Sequence, residues 1–371
     1  MRTDIIDLPP DVPGSRRSLT ALRFGAPGAR PLAYVQAALH ADEIPGMMAA
    51  HHLRAELERL EAEGQIVGEV VLVPVANPIG LGQRVLGGKI GRFDLSDGLN
   101  FNRGFPALGP AAAKRVEGRL TDDAARNVAI VRDALLEALA AEPAETAAQQ
   151  LKHALLRLAL PADIVLDLHC DSEAALHLYT LTPLAGIGEE LSAELGCRAL
   201  LLADVSGDDP FDEAVTRPWV DVAAAAGGRP TPLACFSCTV ELRGTCDVSD
   251  AFGRSDAAAL VRFLRRRGVI AGEPGPLPEA LCAATELAAS EPLTAPVAGV
   301  VSYLREPGDR VAAGEVVAEL IDPLTGAVTP VASAQSGVLF ARSAARFATP
   351  GQRLGKVAGT VPTRHGKLLS P

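Results

Sequence analysis

Along this chain, short apolar runs alternate with longer segments of helical spacing. Residues 32–39 form an apolar run between Pro31 and His40, which predicts a buried strand. Residues 47–63 place apolar side chains at helical intervals and stop at Gly64. Residues 69–75 (EVVLVPV) are a β-branched run of strand length that ends at the turn signal Asn77-Pro78. Helices are predicted at 122–140, with Thr121 as N-cap, and at 144–158. Residues 164–168 read as a strand leading into His169, and 175–181 as another close behind. Helices follow at 189–195 and 211–226, then a strand at 234–242 carrying Glu241, then a closing helix at 249–266. Strands alternating with helices imply an α/β domain with a largely parallel sheet.

Two stretches break this rhythm. Residues 81–110 are rich in Gly, Asn, Asp and Arg and have little periodicity. A loop of that length inside a domain is usually functional or disordered, and its Arg84, Arg92 and Arg103 favour the functional reading. From about residue 291, Pro, Gly and Val rise and the apolar runs shorten to strands at 299–304, 316–321 and 337–341. Turns such as Pro307-Gly308-Asp309 and Asp322-Pro323 separate them. The expected organisation is a catalytic domain over 1–290 and a small all-β domain over 291–371.

Composition narrows the function classes. A length of 371 residues, 48% of them apolar, is enough for about two domains with a sizeable core. The formal charge of −10 argues against a nucleic-acid partner, and the basic run from Arg262 to Arg267 reads as a solvated helix end. The N-terminus lacks a signal-like apolar core, and no apolar run is long enough to span a membrane. The six cysteines are scattered through a large chain. Reduced thiols and a cytoplasmic location are therefore expected. Cys235-x-x-Cys238 lies in a predicted strand with no second pair, so its side chains diverge and carry no chemistry.

The candidate chemistry lies at strand ends. The segment LHADE places His40 just past an apolar run with Glu43 three residues on. Imidazole nitrogen and carboxylate oxygen are zinc ligands, and a catalytic zinc needs three protein ligands and one open position. An H-x-x-E pair alone recurs by chance. His169, in DIVLDLHCD, also follows an apolar strand and makes a third ligand plausible, since ligands gather at the carboxyl ends of strands in open α/β sheets. Asp167, two residues earlier, shares its face and can orient the ring. Glu241 (FSCTVELRG) is a carboxylate in an apolar strand. It reads as a general base, or as the salt-bridge partner of Arg243. The loop GRFDLSDGLNFNRGF offers Arg92, Asn102 and Arg103 for a carboxylate or an oxyanion. His51, His52, His153 and His365 read as structural, and His177 as a spare ligand. A serine-hydrolase elbow, a P-loop and a dinucleotide fingerprint are all missing.

In order, HADE, NPIG, NFNR, DLHCD and TVELRG resemble the succinylglutamate desuccinylase/aspartoacylase family, within the zinc carboxypeptidase-like superfamily. The resemblance covers about residues 32–266. It implies a mixed sheet flanked by helices and one zinc ion per chain on His40, Glu43 and His169. It also implies Glu241 as general base and acid, Asn102 and Arg103 on a substrate carboxylate, and Arg92 on the scissile carbonyl, with Arg84 as the alternative. Arg243 is counted with the substrate-binding residues. The C-terminal segments APVAG and EPGDRV resemble half of a biotinyl/lipoyl-like barrel-sandwich. The hairpin that would carry the modified lysine reads IDPLTG, so no covalent cofactor is expected. This region would wall the site or make a subunit contact, and Tyr303 would pack in its core. The expected activity is hydrolysis of a small N-acyl amino acid or amine. A carboxypeptidase or esterase on the same metal, or a non-catalytic binding protein, are the alternatives. No membrane partner is expected, and self-association is left open.

Overall fold

The computed structural model describes residues 1–10 and 12–369. Its central strands, Leu32–Ala37 and Glu69–Val73, are buried along their whole length. Strands covered on both faces need no polar alternation, which is why they read as unbroken apolar runs. Leu32–Ala37 pairs in parallel with Glu69–Val73 on one side and with Ile164–Asp171 on the other. Phe236–Gly244 extends this parallel centre, then pairs antiparallel with His177–Leu181. Ala199–Ala203 and Ala284–Glu286 complete that edge. At the other edge an antiparallel hairpin, Arg2–Leu8 with Arg17–Gly25, joins Glu69–Val73. The nine-stranded sheet is therefore mixed: parallel at its centre, as the alternating pattern predicts, and partly antiparallel towards its edges.

Helices cover both faces. Gly109–Val116, Ala124–Ala141, Ala147–Ala159 and Phe211–Ala225 close one core around Leu135, Leu151 and Trp219. Pro45–Ala62, Ala185–Leu195 and Asp250–Arg266 close the other around Leu53, Leu191 and Phe263. Cys235 belongs to the first core and Cys238 to the second, so the two thiols lie on opposite sides of the sheet. One cap differs from expectation. Asp123, not Thr121, caps Ala124–Ala141, its carboxylate accepting from the Ala125 and Arg126 amides at 2.9 and 3.2 Å. A charged acceptor answers both the free amides and the helix dipole, while the Thr121 hydroxyl donates to Asn127 Oδ1 (3.0 Å).

The C-terminal region holds two antiparallel sheets. One contains Ser290–Thr294, Arg353–Ala358, Gly337–Arg342 and Arg310–Val311, and the other Val328–Ala332, Val316–Ile321, Gly299–Tyr303 and Phe347–Ala348. Leu293, Val301, Val317, Leu339 and Leu354 fill the space between them. Tyr303 packs against this core and donates to the Leu354 carbonyl (2.9 Å). The two-residue strand Glu173–Ala174, just past His169, adds to the edge of Gly337–Arg342. The β sheets are thereby stitched to the end of the strand that carries His169. Among the described residues no helix is long and apolar enough to cross a membrane.

Candidate metal centre

Leu32–Ala37 leaves the sheet through Ala38, whose φ of 62° turns the chain inward. That turn buries His40 (3% exposed) and brings Glu43 (6%) back beside it before Pro45 opens the next helix. His169 sits near the carboxyl end of the neighbouring strand and is 2% exposed. One ligand atom from each of His40, Glu43 and His169 lies within 4.8 Å of the others. The Glu43 carboxylate bridges the rings, with Oε1 2.9 Å from His40 Nδ1 and Oε2 2.8 Å from His169 Nδ1.

The far side of each ring says which nitrogen is free for a metal. His40 Nε2 faces Asn100 Oδ1 at 2.8 Å, and that same oxygen accepts the Asn102 amide, which fixes it as an acceptor. His169 Nε2 faces Asp167 Oδ2 at 2.8 Å. Both Nε2 atoms therefore donate, and both Nδ1 lone pairs point at Glu43. Lone pairs that close to a carboxylate require positive charge between them. One divalent cation satisfies all three residues, whereas two buried imidazolium ions would be costly. Arg92 already leans on the same atoms, its Nη1 3.2 Å from both His40 Nδ1 and Glu43 Oε1. The donor set thus fits a borderline cation such as zinc. Behind it, Tyr34 donates to Gln36 Oε1 (2.7 Å) and Gln36 to Asp167 Oδ1 (2.9 Å), locking the orienting carboxylate.

The sheet register supplies the next residue. Glu241 is the cross-strand partner of His169 in the parallel pair of Phe236–Gly244 with Ile164–Asp171. Its Oε2 is buried with no hydrogen-bond partner among the described residues. Burial, reinforced by the Glu43 charge, pushes the Glu241 carboxyl above the usual range. A carboxylate at that place can hold a proton and release it. Beyond it, Lys356 of the C-terminal sheet pairs with Asp171 at 2.6 Å. Burial alone would raise Asp171, but the Lys356 ammonium overrides it and holds the carboxyl at about 2.

The loop between the metal motifs is anchored, not free. It contains a short helix, Pro78–Gly82, and a two-residue hairpin, Arg84–Val85 with Gly88–Lys89. Arg84 is exposed on that hairpin, while Arg92 lines the cavity. The geometry therefore brings Arg92 to the donor set and leaves Arg84 outside. Asn102 and Arg103 also line the cavity. Asn102 Oδ1 accepts the Phe211 amide (2.8 Å), and its Nδ2 lies 3.5 Å from His169 Nε2. The buried Lys152 ammonium holds the Arg103 carbonyl at 2.6 Å.

Arg243 is placed elsewhere. A register shift after Glu241 and a φ of 65° at Arg243 turn its side chain away from the Glu241 face. Its guanidinium pairs with both oxygens of Asp256 (3.1 and 2.5 Å) and covers the Phe252 ring. It is neither on the cavity wall nor the partner of Glu241. Of the remaining histidines, His177 is buried and bonded to the Ala175 carbonyl (2.8 Å).

The cavity measures about 420 Å³. Its wall includes groups that no motif announced: Tyr179 and Asp212 from the central domain, and Arg342, Arg353 and Lys356 from the C-terminal sheets. Sequence reasoning missed these because each is an ordinary residue until a distant segment folds over the site. Asn100 had a usable signal, standing two residues before Asn102 in the same loop.

The model of the succinylglutamate desuccinylase/aspartoacylase catalytic domain matches residues 29–184. No curated protein matches the chain significantly. Among solved structures, the chain is similar to a protein described as of this family from Shewanella amazonensis SB2B. The two are 28% identical over 96% of this chain and 98% of that one, with a TM-score of 0.86. Two others show the same fold. One, from Shewanella frigidimarina NCIMB 400, is 24% identical over 96% and 97% of the two chains, with a TM-score of 0.84. The other, from Rhodobacter sphaeroides, is 17% identical over 97% and 96%, with a TM-score of 0.68. Residues 29–184, which carry His40, Glu43, Arg92, Asn102, Arg103 and His169, are the part of the chain that matches the catalytic-domain model of the succinylglutamate desuccinylase/aspartoacylase family.

Proposed function

We propose that this protein is a zinc-dependent deacylase that hydrolyses the amide bond of a small N-acylated amino acid. One observation carries the reading: His40, Glu43 and His169 converge beside Glu241 on the wall of a single cavity. Zinc held by the three ligands supplies Lewis acidity towards a carbonyl and a water molecule. The Glu241 carboxylate takes a proton from that water and passes it to the nitrogen that leaves as an amine. The Arg92 guanidinium, already against the donor set, donates to the carbonyl oxygen as negative charge grows on it. Arg103, with Asn102 Nδ2, grips the substrate carboxylate. The products are a carboxylic acid and a free amine, so the atoms of one water are fully used.

The cavity, about 420 Å³ with residues of the C-terminal sheets in its wall, favours a small substrate over a peptide. The test is a hydrolysis screen of N-acyl amino acids, dipeptides and simple esters, with metal content measured on the same preparation. Release of amine from N-acyl amino acids by zinc-loaded protein, above the rates for dipeptides and esters, is the expected result. Turnover of dipeptides or esters alone would move the assignment to a peptidase or esterase. A protein with no affinity for zinc would return it to a binding role.

A further inference from the structure

The hairpin of Arg84–Val85 with Gly88–Lys89 stands clear of the rest of the fold, with residues 84–89 all exposed. Its turn is Leu86-Gly87, with φ of 49° and 84°. A hairpin turn with positive φ at both centres ordinarily takes Asn or Asp before Gly, and a bulky side chain there is strained. Leu86 nevertheless holds that place, fully exposed, beside the exposed Val85. A strained, apolar tip gains nothing in water and gains most where it is buried against apolar surface. Arg84 and Lys89 flank the tip, and neither has a hydrogen bond or ion pair among the described residues.

Apolar surface of that kind lies on the outer face of one C-terminal sheet. Val328, Ile321, Val300 and Phe347 stand directly opposite one another across its four strands. Their neighbours Leu320, Val301, Val331 and Ala348 fill the core, so the row itself points outward. Val328, Val300 and Phe347 are 53%, 40% and 57% exposed, and Leu324 at the adjoining turn is fully exposed. The charge along this row is acidic. Glu319, on the same face two residues before Ile321, has no partner among the described residues. Asp322 follows Ile321 and meets only the Leu324 amide (2.8 Å) and the Thr325 hydroxyl (2.7 Å). At the Phe347 end, Arg346 is already matched by Glu173 (2.6 and 2.9 Å). One surface is thus an apolar tip with a basic flank, and the other an apolar row with an acidic flank. Both are exposed in one chain, so within that chain neither covers the other.

We infer that these two surfaces bind each other between copies of this chain. The Leu86 hairpin of one protomer seats across the row of Val300 and Phe347 of another, with Arg84 and Lys89 against Glu319 and Asp322. The contact joins two different surfaces, so it closes reciprocally in a dimer or as a ring. Sedimentation of the full-length protein tests it. Wild type is expected to sediment as a dimer or larger. Leu86→Asp and Val300→Asp are each expected to weaken association about tenfold or more. Asp suits the turn at position 86 better than Leu, and circular dichroism checks that both variants stay folded. The two variants are then mixed. L86D keeps an intact sheet face and V300D an intact hairpin, so the mixture is expected to associate more strongly than either variant alone. A monomeric wild type, or variants that associate as wild type does, would overturn the contact. A mixture no more associated than its components would overturn the pairing of these two surfaces.

Discussion

Each imidazole at the centre is held from behind by a fixed acceptor, and that is what frees its other nitrogen. Asp167 holds His169 at 2.8 Å and is itself held by Gln36, all of it out of solvent. Replacing Asp167 with Ala removes the restraint on ring and tautomer and leaves the ligands in place. Zinc affinity is expected to fall about 10–100-fold, read by competition with a chromophoric chelator, and unchanged affinity would refute the orienting role. Single residues were legible where chemistry and position coincide. His40, Glu43, His169 and Glu241 are ligand or base types at strand ends, where they draw attention. Asp212 and Lys356 are ordinary charged residues until distant segments fold over the cavity. Arg243 misled because alternation puts it on the Glu241 face, and one backbone irregularity reverses it.

At the scale of elements, the strand ends deliver the ligands and the long loop closes over them. Gly91 is where that loop presses hardest, its carbonyl accepting the Ala41 amide at 3.0 Å. A Cβ on Gly91 would overlap the backbone of Ala41 and Asp42, between His40 and Glu43. The Gly91→Ala variant must push the loop, and Arg92 with it, off the donor set. Weaker zinc binding with a lowered melting temperature is the expected outcome, and wild-type values for both would show that the contact is dispensable. The parallel centre of the sheet was legible because buried strands read as apolar runs. The N-terminal hairpin was not: Arg2–Leu8 is a largely exposed edge strand with little apolar signal.

The whole molecule depends on the C-terminal sheets seating against the central one. Lys356 and Asp171 form an ion pair across that seam, each side chain 23% exposed. Replacing Lys356 with Met removes the partner of a carboxyl that folding pulls down to about 2. Denaturant unfolding at neutral pH is expected to show a loss of about 1.5–3 kcal/mol. Because Asp171 is depressed below its ordinary value of about 3.9, the stabilisation is fully present above about pH 4. It is lost as the pH falls through about 2, so wild type and variant should converge there. A difference that grows with acidification would contradict the assignment. That the chain ends in antiparallel β structure was legible from its short strands and turns. Its contribution of Arg342, Arg353 and Lys356 to the cavity was not, because nothing local marks a residue that works across a seam.

If three residues hold the metal while Glu241 moves the proton, one variant separates those roles. Glu241→Gln keeps the size of the side chain and removes its basicity. Metal analysis and turnover of the best N-acyl amino acid are measured on the same protein. The expected result is zinc at the wild-type stoichiometry with turnover lowered by about 10²–10⁴-fold. Full zinc content with unchanged turnover would contradict it.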